Sequence, residues 1–158
     1  MRTRVKTVYL TGAGPGDPGL LTVRARELLS ACDCVIYDAL ISPEIMALAN
    51  PAAELIYVGK RGARHALEQT EINRLLVEKA ASGKSVLRLK GGDPYLFGRG
   101  AEEALFLVKH GARVEVIPGV TAGIAAPACA GIPVTHRKIA SAVAFVTGHE
   151  DLTKSESA

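Results

Sequence analysis

Apolar residues fall into short unbroken runs, separated by stretches in which they recur at helical spacing. Val5 to Thr11, Cys32 to Tyr37, Glu54 to Val58, Ser85 to Leu89 and Arg113 to Ile117 have strand length, with Ala142 to Thr147 as a sixth candidate. Leu20 to Ala31 places Leu21, Ala25, Leu28 and Leu29 at helical spacing. Pro43 to Leu48 predicts a short helix with Ser42 as N-cap and Pro43 at its first position. Glu71 to Ala81 predicts an amphipathic helix, capped by Thr70 and closed by Gly83. Arg99 to His110 predicts a helix stopped by Gly111, and Thr121 to Ala130 one rich in small residues. Strands therefore alternate with helices, and the strands show no polar alternation. That pattern predicts an α/β fold, a mostly parallel sheet with helices on both faces.

Parallel sheets of this kind place ligands beyond the carboxyl ends of their strands. Here those ends carry the unusual loops: G-A-G-P-G-D-P-G, Y-D-A-L, G-K-R-G, K-G-G-D-P and P-G-V-T-A-G. Gly14 to Gly19 matches G-x-G-x-x-G, and Asp38 stands 19 residues after Gly19 at the end of the second strand. Together they approach the fingerprint of a nicotinamide dinucleotide-binding domain. Pro15 and Pro18 oppose that reading, because each lacks the N–H that a phosphate cradle needs. On the loop alone, nucleotide binding and simple turn chemistry stay open. Gly91-Gly92-Asp93-Pro94 is more informative. Two adjacent glycines let a ligand approach the backbone, and Pro94 restricts Asp93 to extended conformations.

Composition narrows the classes. The 158 residues suit one ordinary domain. Aromatics are only 4% and Trp is absent, so the core must be aliphatic. The formal charge of +3 is too mild to argue for nucleic acid. No apolar run has the length of a membrane span, and Met1 to Lys6 leads into no signal-peptide core, so a cytoplasmic location is the default expectation. Cys32, Cys34 and Cys129 make no disulfide framework. The C-x-C pair falls in a predicted strand, where both thiols would share one face. The four scattered histidines complete no metal site, so no metal is expected.

The segments V-Y-L-T-G-A-G-P-G-D-P-G-L-L-T-V-R-A, I-Y-D-A-L-I-S, V-G-K-R-G-A-R-H, R-L-K-G-G-D-P-Y-L-F-G-R-G-A-E-E, I-P-G-V-T-A-G and A-G-I-P-V-T-H-R, in this order, resemble the uroporphyrinogen-III C-methyltransferases of the tetrapyrrole methylase family. The resemblance runs from about Thr7 to Glu156. Between Gly59 and His65 it departs slightly, with glycine at Gly62 where the family pattern has it one position later.

The resemblance implies the amino-terminal α/β domain of a two-domain methylase, with S-adenosylmethionine folded in the cleft between the domains. It implies residues 1–147 as that domain, and 148–158 as the start of a linker into a second domain absent from this sequence. The implied reaction is C-methylation of uroporphyrinogen III to precorrin-2, on the way to siroheme or cobalamin, by a cytoplasmic homodimer. Asp38 then matches the family's general base, and Lys60 its proton donor or substrate contact. The plainer alternatives are a loop carboxylate and a solvated charge. Pro15, Gly91, Gly92, Asp93, Leu96, Thr121 and Ala122 match cofactor contacts. Arg61, Arg64, His65, Arg99, His136 and Arg137 are candidates for the substrate's carboxylates. A non-catalytic cofactor-binding fragment is the remaining alternative.

Overall fold

The computed structural model describes residues 7–59 and 67–148. Five strands, β1 (Thr7–Gly12), β2 (Cys34–Tyr37), β3 (Glu54–Tyr57), β4 (Val86–Lys90) and β5 (Arg113–Ile117), form one sheet in the order β3-β2-β4-β1-β5. Every pairing is parallel, with Val8 opposite Val86 and Val114, and Cys34 opposite Val86 and Glu54. Among the described residues five α-helices accompany it: α1 (Val23–Ala31), α2 (Pro43–Met46), α3 (Gln69–Ala81), α4 (Gly100–Lys109) and α5 (Ala122–Cys129). The chain divides after Ala122 into two compact units, and the sheet lies in the first.

Alternation along the strands feeds two cores. Val8, Leu10, Cys34, Ile36 and Val86 pack with Ile72, Leu76 and Ala80 of α3 and Leu107 of α4. Val35, Leu87, Leu89 and Ile117 pack with Ala25, Leu28 and Leu29 of α1 and Ile45 of α2. Connections running towards β3 thus carry their helices on one face, and those returning towards β5 on the other. A single hand of crossover requires that arrangement. β1 and β4 are neighbours whose connections leave in opposite directions, so the sheet's switch point lies at their carboxyl ends.

Several boundaries move for local reasons. α1 begins at Val23, because Pro18–Leu20 forms a separate 3₁₀ turn and the Thr22 hydroxyl accepts from Ala25 N–H at 3.2 Å. α3 begins at Gln69, before the predicted Thr70 cap. The Glu71 carboxylate reaches back to accept from Glu68 N–H at 2.8 Å, which starts the helix earlier. Ala142 to Thr147 forms no strand among the described residues. Its apolar run finds no partner ladder there, and an unpaired strand leaves its backbone groups unsatisfied.

The C-x-C expectation also fails. Cys32 caps the end of α1 and packs on the α1 side, whereas Cys34 opens β2 on the α3 side. The helix ends between them, so strand alternation does not relate the two thiols. Burial pushes both thiols up to about 11, while Cys129 is exposed. A disulfide reagent at pH 8 should therefore react promptly with one thiol per native chain and with three after denaturation. Prompt reaction of more than one would contradict this packing.

Candidate functional site

A cavity of about 510 Å³ opens at the carboxyl ends of the strands. Its wall includes Pro15, Gly91, Gly92, Asp93, Leu96, Thr121 and Ala122, the seven residues expected to contact a cofactor, together with Asp38. The loops after β1, β2, β4 and β5 supply them, from segments up to 107 positions apart in sequence. Arg99 also lines the cavity. Lys60, Arg61, Arg64 and His65 lie outside the described residues. His136 and Arg137 belong to the second unit, where His136 N–H bonds Ala140 C=O at 2.9 Å.

Close backbone contact shapes the cavity wall. Gly14 and Gly92 exchange two hydrogen bonds, at 3.1 and 2.7 Å, and Ala13 N–H donates to Lys90 C=O at 2.7 Å. Asp93 ties this loop to the one after β5. One of its oxygens accepts from Tyr95 N–H at 2.8 Å and the other from Gly119 N–H at 3.0 Å. Each oxygen retains a lone pair for a ligand.

These contacts count against the dinucleotide reading. The N–H of Gly14 is committed to Gly92, and Pro15 and Pro18 have none to offer. The first turn of α1 is capped by Thr22, so its N-terminus is not opened by the glycine loop as a phosphate cradle requires.

Asp38 follows β2 and stands at the cavity edge with its side chain 25% exposed. One oxygen accepts from Leu40 N–H at 3.1 Å, and the other pairs with Arg88 at 3.2 Å. Arg88 belongs to a buried charge cluster that the sequence reading did not assign. Glu103 Oε1, on α4, accepts from Arg88 Nε at 3.2 Å, Lys90 Nζ at 3.0 Å and Gln69 Nε2 at 3.1 Å. Burial, followed by repulsion from Arg88, pulls the Lys90 ammonium below the ordinary lysine range. A signal for the cluster existed: R-L-K places two cations two residues apart in an otherwise apolar strand, and therefore on one face.

Phe97 and Arg99, also on the cavity wall, hold left-handed backbone at φ 54° and 55°. Such conformations cost energy for non-glycine residues and concentrate at ligand sites. Among the described residues, no group of His, Cys, Asp and Glu could hold a metal ion, and no helix is long and apolar enough to cross a membrane.

Comparison with known proteins follows the same residues. The family model described as Tetrapyrrole (Corrin/Porphyrin) Methylases matches residues 7–158. Uroporphyrinogen-III C-methyltransferase of Methanocaldococcus jannaschii is 57% identical over 149 residues, covering 94% of this chain and 62% of that protein. Siroheme synthase of Chromobacterium violaceum is 56% identical over 147 residues, covering 93% of this chain and 31% of that protein. The crystal structure of uroporphyrin-III C-methyltransferase from Thermus thermophilus complexed with S-adenosylhomocysteine superposes with a TM-score of 0.71 at 50% identity, over 85% of this chain and 52% of that one. The chain thus spans only part of the length of the relatives it matches.

Proposed function

Because the chain belongs to the tetrapyrrole methylases, we propose that it forms the S-adenosylmethionine-binding and proton-accepting wall of a uroporphyrinogen-III C-methyltransferase. The observation that carries this reading is the convergence of Asp38 and the seven expected cofactor residues on one cavity. The remaining wall would come from the further length that the relatives carry.

The cavity suits the cofactor. Its volume lies in the range of small-molecule sites. Leu40, Leu96 and Phe97 offer apolar surface for a purine, and Gly91 and Gly92 expose backbone. Asp93 offers lone pairs to an amino group or to ribose hydroxyls. S-adenosylmethionine, when bound, supplies a methyl group activated by its sulfonium.

The chain's own contribution is to raise the nucleophilicity of the accepting pyrrole carbon. Asp38 removes the pyrrole N–H proton as general base, and electron density moves onto that carbon. Arg88 and Leu40 N–H fix the carboxylate so that it faces the cavity. Lys60 serves as proton donor or substrate contact. Arg61, Arg64, His65, Arg99, His136 and Arg137 are the candidates for holding substrate carboxylates. The family resemblance further supports a cytoplasmic homodimer on a route to siroheme or cobalamin.

Calorimetry with this chain separates the readings. S-adenosylhomocysteine should bind and NADH should not. Binding of NADH alone would overturn the methylase reading. The Asp93→Ala variant should weaken S-adenosylhomocysteine by roughly tenfold or more, since a hydrogen bond to a charged group is worth about 1.5–3 kcal/mol.

A further inference from the structure

Glu103 has no exposed surface and does not line the cavity, so it does not touch a ligand held there. It nevertheless sits at the centre of the charged floor. Its Oε1 is shared by Arg88, Lys90 and Gln69, and its Oε2 has no hydrogen-bond partner among the described residues. Arg88 and Lys90 are themselves only 3% and 5% exposed. Two cations thus face two carboxylates, Glu103 from the helix side and Asp38 from the cavity side.

We propose that Glu103 is a positioning residue for Asp38, holding Arg88 and Lys90 so that Arg88 clamps one edge of the Asp38 carboxylate and leaves a lone pair free to take the substrate's proton. This inference rests on the assignment of Asp38 as the base. The guanidinium geometry supports it. Arg88 Nε is spent on Glu103, and one terminal nitrogen donates to Ile36 C=O at 3.4 Å and Leu89 C=O at 3.1 Å. Only the other terminal nitrogen reaches Asp38, at 3.2 Å. Lys90 Nζ is held by Glu103 at 3.0 Å. Without the Glu103 charge, the Asp38 carboxylate, already bonded to Arg88, is left to attract Lys90 as well. A second donor on its oxygens would occupy the lone pair that the reaction needs.

The test is a double-mutant cycle in the full protein, read by methyl transfer to uroporphyrinogen III. The Glu103→Gln variant should lower kcat about tenfold, with KM and S-adenosylhomocysteine affinity changed less than about twofold. Added to Asp38→Asn, it should cost less than about twofold more, because both act through one carboxylate. Full additivity overturns the positioning role and leaves the base assignment intact. An Asp38→Asn variant with unchanged turnover removes the base assignment, and this inference with it.

A second readout does not depend on turnover. The ¹⁵N signal of Arg88 Nε–H should be protected from exchange in the unsubstituted protein and in Asp38→Asn, and lost in Glu103→Leu, which removes the acceptor oxygen that Glu103→Gln keeps. Its persistence in Glu103→Leu would also overturn the inference. If Glu103→Gln fails to fold, Glu103→Asp retains the charge with a shorter reach, and the same cycle applies to it.

Discussion

Replacing Asp38 by Asn should lower kcat for methyl transfer by roughly 10²–10⁴-fold, the usual contribution of a positioned general base. The substitution keeps the side chain's shape and its acceptor oxygen. It can still accept from Leu40 N–H, which the Asp38 carboxylate does at 3.1 Å. The capacity to take a proton is what it loses. Affinity for S-adenosylhomocysteine should stay within about threefold, because the proposed cofactor contacts come from other residues. Single-turnover kinetics on the full protein, with calorimetry beside it, checks both halves. Loss of cofactor affinity equal to the loss of kcat would move Asp38 from the base role to a binding role.

Gly12→Ala should destabilise the chain by about 3 kcal/mol, the upper range for forcing extra volume into a close-packed site. A Cβ at this position would stand 2.5 Å from the Gly92 carbonyl oxygen and 2.6 Å from Gly119 Cα. Both neighbours are backbone, so no side chain can rotate aside. Gly92 is further held by its paired bonds to Gly14, and Gly119 by the Asp93 carboxylate. Relief would therefore displace the Gly91-Gly92 wall, and S-adenosylhomocysteine affinity should fall at least about tenfold together with stability. Urea unfolding and calorimetry measure the two effects. A variant within about 1 kcal/mol of the original, with affinity unchanged, would show that the three loops are not locked as described.

Much of this architecture was written into local pattern. The apolar runs in β1 and β2 are near-continuous because helices cover the sheet on both sides, and that pattern is visible in the sequence. The glycine clusters and Asp38 were legible for a similar reason. Strand ends in a parallel sheet converge on one edge, so the order of elements alone gathers their loops there. The errors also have local causes. The break between Cys32 and Cys34 is a helix end marked only by Asp33, which the run of apolar neighbours outweighed. Ala142 to Thr147 is an apolar run of strand length, yet pairing is not a property of the segment alone.

The sequence by itself determined the α/β class, the edge of the sheet where the cavity opens and the family to which its loops belong. Each rests on periodicity or on short contiguous motifs. Only the tertiary structure decided that Arg88, Lys90 and Glu103 form a buried cluster behind Asp38, and that Gly12, Gly92 and Gly119 meet. Those contacts join residues from separate elements, and their strength comes from desolvation and close packing, which exist only once the sheet and helices have assembled.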